Sequence, residues 1–173
     1  SLSTYRSQRR GGRGVQGASS REEDFVEHLF VANTHSYILF FTDKGKCYWV
    51  KVYDIPEGGR AAKGRAIVNL IGCEPDEKVS AFISVKEFNE DHYVVMATEK
   101  GMVKKTKLSA YSNPRKKGIY AVEIRDGDKL IEARVSTGDN DILLGTRNGK
   151  SIRFSEEQIL SLIHISEPTR RTT

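Results

Sequence analysis

Three stretches of this chain repeat one pattern: an apolar run, a threonine, two polar residues, a glycine, then mixed apolar and basic residues. They are Tyr37-ILFFTDKGKCYWVKV, Tyr93-VVMATEKGMVKKTKL and Asp141-ILLGTRNGKSIRF, and their glycines Gly45, Gly101 and Gly149 recur at a nearly constant interval. Each stretch reads as a β-hairpin, in which one strand enters, a tight turn takes positive φ at its glycine, and a second strand leaves. A unit of about fifty residues that recurs in this way cannot bury an apolar face alone and has to stack on its neighbours.

Two further elements keep the same beat. Tyr53-DIPEGGRAAKGRAIVNL follows the first hairpin, and Tyr111-SNPRKKGIYAVEI follows the second. The start of the chain, LSTYRSQRRGGRG, aligns with LSAYSNPRKKG at Leu108, so it reads as the back half of an earlier copy. The glycines Gly14, Gly64 and Gly118 recur on the same period. His28-LFVAN, Val79-SAFISV and Leu130-IEARVS supply one more β-rich run per unit. With about four strands per unit and no helical period, the expectation is an all-β, propeller-like array of four-stranded blades, truncated at both ends. Only residues 21–27 and 156–162 offer short helical patterns. Hydrophobic residues at 38% suffice for a core and argue against wholesale disorder. No run approaches the eighteen apolar residues of a membrane span. The start carries no apolar stretch behind its arginines, so it does not read as a secretory signal.

Charge is distributed unevenly. The net charge is +5, from 28 Lys and Arg against 23 Asp and Glu. Arg6, Arg9, Arg10, Arg13 and Arg21 carry the whole excess in an N-terminal segment without a single acid. A second acid-free stretch, 100–118, holds Lys100, Lys104, Lys105, Lys107, Arg115, Lys116 and Lys117. Such clusters point to a polyanionic partner, or to well-solvated loops.

The densest chemistry lies in the loop Gln8, Arg9, Arg10, Gly11, Gly12, Arg13 and Gly14. Guanidinium forks match phosphate oxygens bidentately, and glycines let backbone N–H groups approach the same phosphate. An Arg-Gly string alone is weakly specific, since disordered RNA-binding tails use it too. Its placement says more, because GRAAKGR, with Arg60, Lys63 and Arg65, and PRKKG, with Arg115, Lys116 and Lys117, occupy the same slot in later copies.

These residues resemble a known family, the C-terminal domain of the DNA gyrase A protein. QRRGGRG is similar to that family's gyrase box at all seven positions, and EDFVEHLFVANTH, KGRAIVNL and KGIYAVEI also resemble that domain. The resemblance implies a partial β-pinwheel over residues 1–159, with the box at 8–14 and repeats near 37–72, 93–136 and 141–159. It implies a DNA-contacting set of residues 8–14 together with Arg60, Lys63, Arg65, Lys104, Lys105, Arg115, Lys116 and Lys117. By the same resemblance the chain wraps double-stranded DNA and supports negative supercoiling by a holoenzyme. It would work with the N-terminal part of gyrase A and with gyrase B as A2B2, in the bacterial cytoplasm at the nucleoid. No cofactor is implied in this stretch, since ATP and Mg2+ would act through other regions. The family's catalytic tyrosine belongs to an N-terminal portion that does not precede these residues here, so no catalysis is expected of them. The related topoisomerase IV protein has a similar domain that lacks an intact box.

Residues 160–173 read differently. Leu160-SLIHISEPTR resembles the translation of a transposon-end adapter used in sequencing libraries. The expectation is a non-native tail whose apolar residues lack a partner.

Other candidates read as structural. His28, His35 and His92 lack metal-ligand spacing. Cys47 and Cys73 stand far apart and match no metal or redox spacing, so they read as buried thiols rather than a disulfide. Trp49 and Phe40 read as core, and Asp126, Asp128, Asp139 and Asp141 as turn formers. Two functions stay open on residues alone: a sequence-tolerant duplex-DNA wrapping module, or a propeller-type scaffold whose basic loops hold an acidic protein.

Overall fold

A computed structural model describes residues 30–58 and 65–159 and the backbone of a strand at 162–164. In chain order the elements are β1 (Tyr37–Thr42), β2 (Lys46–Lys51), a one-turn helix α1 (Val68–Ile71), β3 (Val79–Val85), β4 (Tyr93–Thr98), β5 (Met102–Lys107), β6 (Ile119–Tyr120), β7 (Leu130–Ser136), β8 (Asp141–Gly145), β9 (Ser151–Ser155) and β10 (Leu162–His164). Single 3₁₀ turns at Val52–Asp54, Leu108–Tyr111 and Glu156–Gln158 end the second strand of each hairpin.

The repeated Thr-x-x-Gly explains the hairpins. In all three the glycine N–H donates to the threonine carbonyl, at 2.9, 3.1 and 3.0 Å for Gly45, Gly101 and Gly149. The next N–H (Lys46, Met102 or Lys150) donates to the threonine hydroxyl at 3.3, 3.0 and 3.2 Å. Threonine thus closes the turn twice. The glycine takes φ of 78°, 85° or 77°, a left-handed conformation that any Cβ makes costly.

The hairpins assemble into sheets in a way one repeat could not disclose. The first sheet runs β3-β1-β2-β6, the second β10-β5-β4-β7, and β8-β9 stands as a pair. All pairings are antiparallel. β6 lies downstream of the second hairpin yet pairs with β2, and β10 lies downstream of the third hairpin yet pairs with β5. Each four-stranded sheet therefore takes one edge strand from the following repeat. At the opposite edge, β3 of the first sheet lies against β7 of the second.

Stacking sets the core. Leu39 and Phe41 of β1 pack with Val94, Met96, Leu130 and Ala133 of the second sheet and with Tyr111 in the turn after β5. Ile38 and Phe40 face the other way, onto Tyr48, Val50 and Ile71. A strand buried on both faces is what blade-on-blade packing requires, and it accounts for the unbroken apolar run YILFF. Fully burying each such side chain contributes roughly 1.5–3 kcal/mol.

Several local expectations change. The helical pattern at 156–162 resolves into one 3₁₀ turn over Glu156–Gln158 and then the strand β10; residues 21–27 lie outside the described residues. The backbone of Leu162–His164 is not partnerless, because it pairs with Lys104, Val103 and Met102. In KGRAIVNL, equivalent to KGIYAVEI, Arg65 and Ala66 stand where β6 has Ile119 and Tyr120 but form no strand, since among the described residues no earlier hairpin offers them an edge. The helical turn α1 follows at Val68–Ile71, opposite Val122–Arg125, and ends on Gly72 at φ 62°. Asp141 opens β8 and pairs with Arg153 rather than forming a turn. Phe40 is buried as expected, while Trp49 is half-buried against the core. Cys47 is buried, Cys73 half-buried, and both are free thiols.

Candidate nucleic-acid interface

The loop 112–118 is a basic segment anchored at both ends. Before it, Leu108 and Tyr111 sink into the core, with the Tyr111 ring edge-on to Phe41 at 5.8 Å. After it, β6 pairs Ile119 with Cys47 and Tyr120 with Lys46. The N–H groups of Ala121 and Val122 then donate to the Gly45 carbonyl at 2.8 and 3.2 Å. Gly118 makes the crossing. It sits at φ 70°, its N–H donates to the Arg115 carbonyl at 2.9 Å, and a Cβ there would press on Cys47 O and the Tyr48 ring.

Between these anchors Arg115, Lys116 and Lys117 are exposed and make no ion pair with any described residue. The local sequence explains this, because 100–118 contains no acid to neutralise them. The result is three solvated cations at the sheet edge remote from β3, on a backbone held at both ends.

The neighbouring Lys46 is the contrast. Its ammonium lies 2.6 Å from Glu77 Oε1 and 3.0 Å from Glu74 Oε1, and these two carboxylates hold it above the usual lysine range. Tyr48 donates to Glu77 at 2.9 Å; burial and that carboxylate push the phenol up to about 12. The Lys46 charge is thus neutralised within the protein.

The remaining sequence candidates divide. Arg65 is exposed. Gln8, Arg9, Arg10, Gly11, Gly12, Arg13, Gly14, Arg60 and Lys63 lie outside the described residues. Lys104 and Lys105 are drawn inward on opposite faces of β5. Lys104 Nζ donates to Ala121 O at 2.7 Å. Lys105, with a side chain only 11% exposed, donates to Gly138 O at 3.1 Å. It also lies 4.0 Å from Glu156 Oε1 and 4.4 Å from the centre of the Tyr93 ring. Strand alternation was the available signal: consecutive lysines on a strand covered on both faces cannot both reach solvent. Arg125 and Arg147, outside the basic stretches that the sequence singles out, are exposed on turns without an ion pair among the described residues. Trp49 does more than pack on the core: its indole N–H donates to Tyr111 O at 2.7 Å.

No group of three or more His, Cys, Asp or Glu among the described residues could hold a metal ion. Nor is any described helix long and apolar enough to cross a membrane.

A model of the DNA gyrase C-terminal domain, described as a beta-propeller, matches residues 1–33, 36–86, 92–137 and 140–162. The chain belongs to that family. The second, third and fourth matched segments begin at the same offset before Gly45, Gly101 and Gly149, so each covers one repeat. Among curated relatives, the chain is 51% identical over 158 residues to the DNA gyrase A protein of Halalkalibacterium halodurans, covering 91% of this chain and 19% of that protein. It is 55% identical over 152 residues to the corresponding protein of Neisseria gonorrhoeae, covering 88% of this chain and 17% of that protein. It therefore spans about a fifth of these relatives' length. A solved C-terminal domain of DNA topoisomerase IV superposes with TM-score 0.73 at 28% identity, over 83% of this chain and 45% of that one. The solved DNA gyrase A C-terminal domain gives 0.67 at 20% identity, over 91% and 50%, a likeness of fold. The all-β, propeller-like fold expected from the repeat is the fold of this family.

Proposed function

We propose that this chain binds and wraps double-stranded DNA as the C-terminal part of a gyrase A protein. In that role it supports ATP-dependent negative supercoiling by an A2B2 holoenzyme with gyrase B, at the bacterial nucleoid. The observation that carries the proposal is the exposed, unpaired cluster Arg115, Lys116 and Lys117 at a sheet edge. The same slot holds QRRGGRG at the start of the chain and GRAAKGR in the copy between them. Repetition of that slot gives a track of cations. A track suits a polyanion that must bend: curving a 20 to 30 bp site smoothly costs on the order of 1 to 6 kcal/mol, which several loops acting together can offset. Arg9, Arg10, Arg13, Arg60, Lys63 and Arg65 belong to the same contact set; Lys104 and Lys105 do not, since their ammonium groups are engaged within the protein.

The test is the salt dependence of duplex binding. Each phosphate neutralised contributes a log–log slope of roughly −0.9. Replacing Arg9, Arg10 and Arg13 together with alanine should weaken binding to any sequence about equally and flatten the slope by roughly two to three. Lys116→Glu with Lys117→Glu should shorten the protected footprint. A loss that depends on base sequence, or an unchanged footprint, would refute the track. Weak, salt-insensitive DNA binding beside tight capture of an acidic protein would favour the scaffold reading instead.

A further inference from the structure

Two hydrogen bonds bracket the basic loop from opposite sides. At its start, the Trp49 indole of the first sheet donates to the carbonyl of Tyr111, the residue immediately before 112–118, at 2.7 Å. Beyond its end, Lys104 Nζ of the second sheet donates to the carbonyl of Ala121, shortly after Gly118, also at 2.7 Å. Both contacts are half-buried, where a backbone carbonyl left without a donor costs more than it would in water. The bonds are reciprocal. The first sheet holds the entry of a loop that issues from the second, and the second holds the exit of the strand that the first has borrowed. Between the clamps the chain has one internal tie, Gly118 N to Arg115 O at 2.9 Å.

We infer that Trp49 and Lys104 are positioning residues that pre-order the loop carrying Arg115, Lys116 and Lys117 for phosphate. The inference rests on the DNA-binding reading of that loop. Neither residue touches DNA in this scheme. Lys104 spends its charge on Ala121 O, and Trp49 acts through Tyr111. A loop already held in its bound shape loses less conformational freedom on association, so the clamps raise affinity without adding a phosphate contact. That separates two roles a lysine in a basic stretch can have: a contact changes the salt slope, and a clamp changes affinity at constant slope.

The experiment compares Trp49→Phe, Lys104→Met, Lys104→Arg and Lys116→Ala in the full chain, using mixed-sequence duplex DNA over a range of salt. Trp49→Phe and Lys104→Met should each lower affinity about five-fold, the size of one ordinary hydrogen bond, with the slope unchanged. Lys104→Arg, which retains a donor, should recover most of that loss. Lys116→Ala should lower the slope by about 0.9. Without DNA, trypsin should cut after Arg115, Lys116 and Lys117 faster in Trp49→Phe and Lys104→Met, while the thermal midpoint falls by no more than the few degrees that one lost hydrogen bond costs. A slope lowered by about one in Lys104→Met would overturn the inference by making Lys104 a phosphate contact. Unchanged affinity with unchanged cleavage would overturn it by removing the clamp. Accelerated cleavage in the two variants, beside a wild-type chain that binds no duplex, would leave the clamp standing and overturn the DNA reading on which its purpose rests.

Discussion

The hairpins β1–β2 and β8–β9 share a sequence pattern and a turn, and differ in everything around them. Gly45 and Gly149 have φ of 78° and 77°, and both hairpins align five residue pairs, Tyr37–Phe41 with Lys51–Cys47 and Asp141–Gly145 with Ser155–Ser151. Yet five of six residues in β1 are buried, whereas β8 alternates between exposed and half-buried, with Leu143 69% exposed. Thr42 is fully buried and Thr146 is exposed, although their hydroxyls make the same bond. β3 and β6 flank the first hairpin; among the described residues no other strand pairs with β8 or β9. Local chemistry thus builds the turn wherever it occurs, and neighbouring strands alone turn a hairpin into core.

The sharpest way to break this comparison is at equivalent apolar positions. Leu39→Ala, at a fully buried site packed with Val94 and Met96, should cost about 2–5 kcal/mol. Leu143→Ala should fall within about 0.5 kcal/mol. Denaturant unfolding measures both, and similar losses would mean that β8–β9 is as well buried as β1–β2.

The glycines give the next largest difference. Alanine at either turn incurs about 1–2 kcal/mol for the left-handed backbone. At Gly149 nothing lies near the added Cβ, so that is the whole cost. At Gly45 the Cβ would overlap the carbonyl oxygen of Val122 and press on Ile124, so the total should exceed about 3 kcal/mol. Thermal melting of Gly45→Ala beside Gly149→Ala decides it. Equal shifts would show that the segment after β6 does not close over the first hairpin as described.

The smallest effect concerns what fastens the third hairpin. Glu156 is buried beside β9, and its Oε1 accepts from Ser136 Oγ at 2.6 Å and from Asn140 N–H at 3.0 Å. Desolvation pushes this carboxyl up, but the Ser136 hydroxyl, the Asn140 N–H and the Lys105 charge outweigh it and hold the carboxyl below its ordinary 4.5. The unfolded chain therefore takes up the proton first. Stability from ionised Glu156 should be complete above about 4.5 and be lost as pH falls through the lower folded value. Amide protection in β8–β9, taken relative to the intrinsic exchange rate at each pH, should fall in acid in the wild type, and Glu156→Gln should abolish that pH dependence. An acid profile that survives the substitution would assign the fastening to another group.

The parts of this molecule legible in the sequence are those whose chemistry is local. The Thr-x-x-Gly turns announce themselves because carbonyl, hydroxyl and left-handed glycine all act within one tight turn. The apolar runs mark strands, and the acid-free stretch marks the exposed cations Arg115, Lys116 and Lys117. Lys104 and Lys105 looked like members of the same patch, but strand alternation and two covering faces drew them inward. For Arg9, Arg10, Arg13, Arg60 and Lys63 the expectation stands on the sequence, since they lie outside the described residues.

KGIYAVEI and KGRAIVNL show where sequence stops. In the same slot of the repeat Ile119 and Tyr120 form a strand, whereas Arg65 and Ala66 form none. The residues do not decide this, because Ile119 and Tyr120 are a strand only while the edge of β2 accepts their hydrogen bonds, and that edge arrives from a whole repeat upstream. The sequence by itself determined the repeat, the hairpins, the family and the chemistry of the basic loops. Which hairpin receives which strand, which lysines reach solvent, and what holds the loop between two sheets were decided by tertiary structure, since hydrogen-bond partners and burial belong to neighbours distant in the chain.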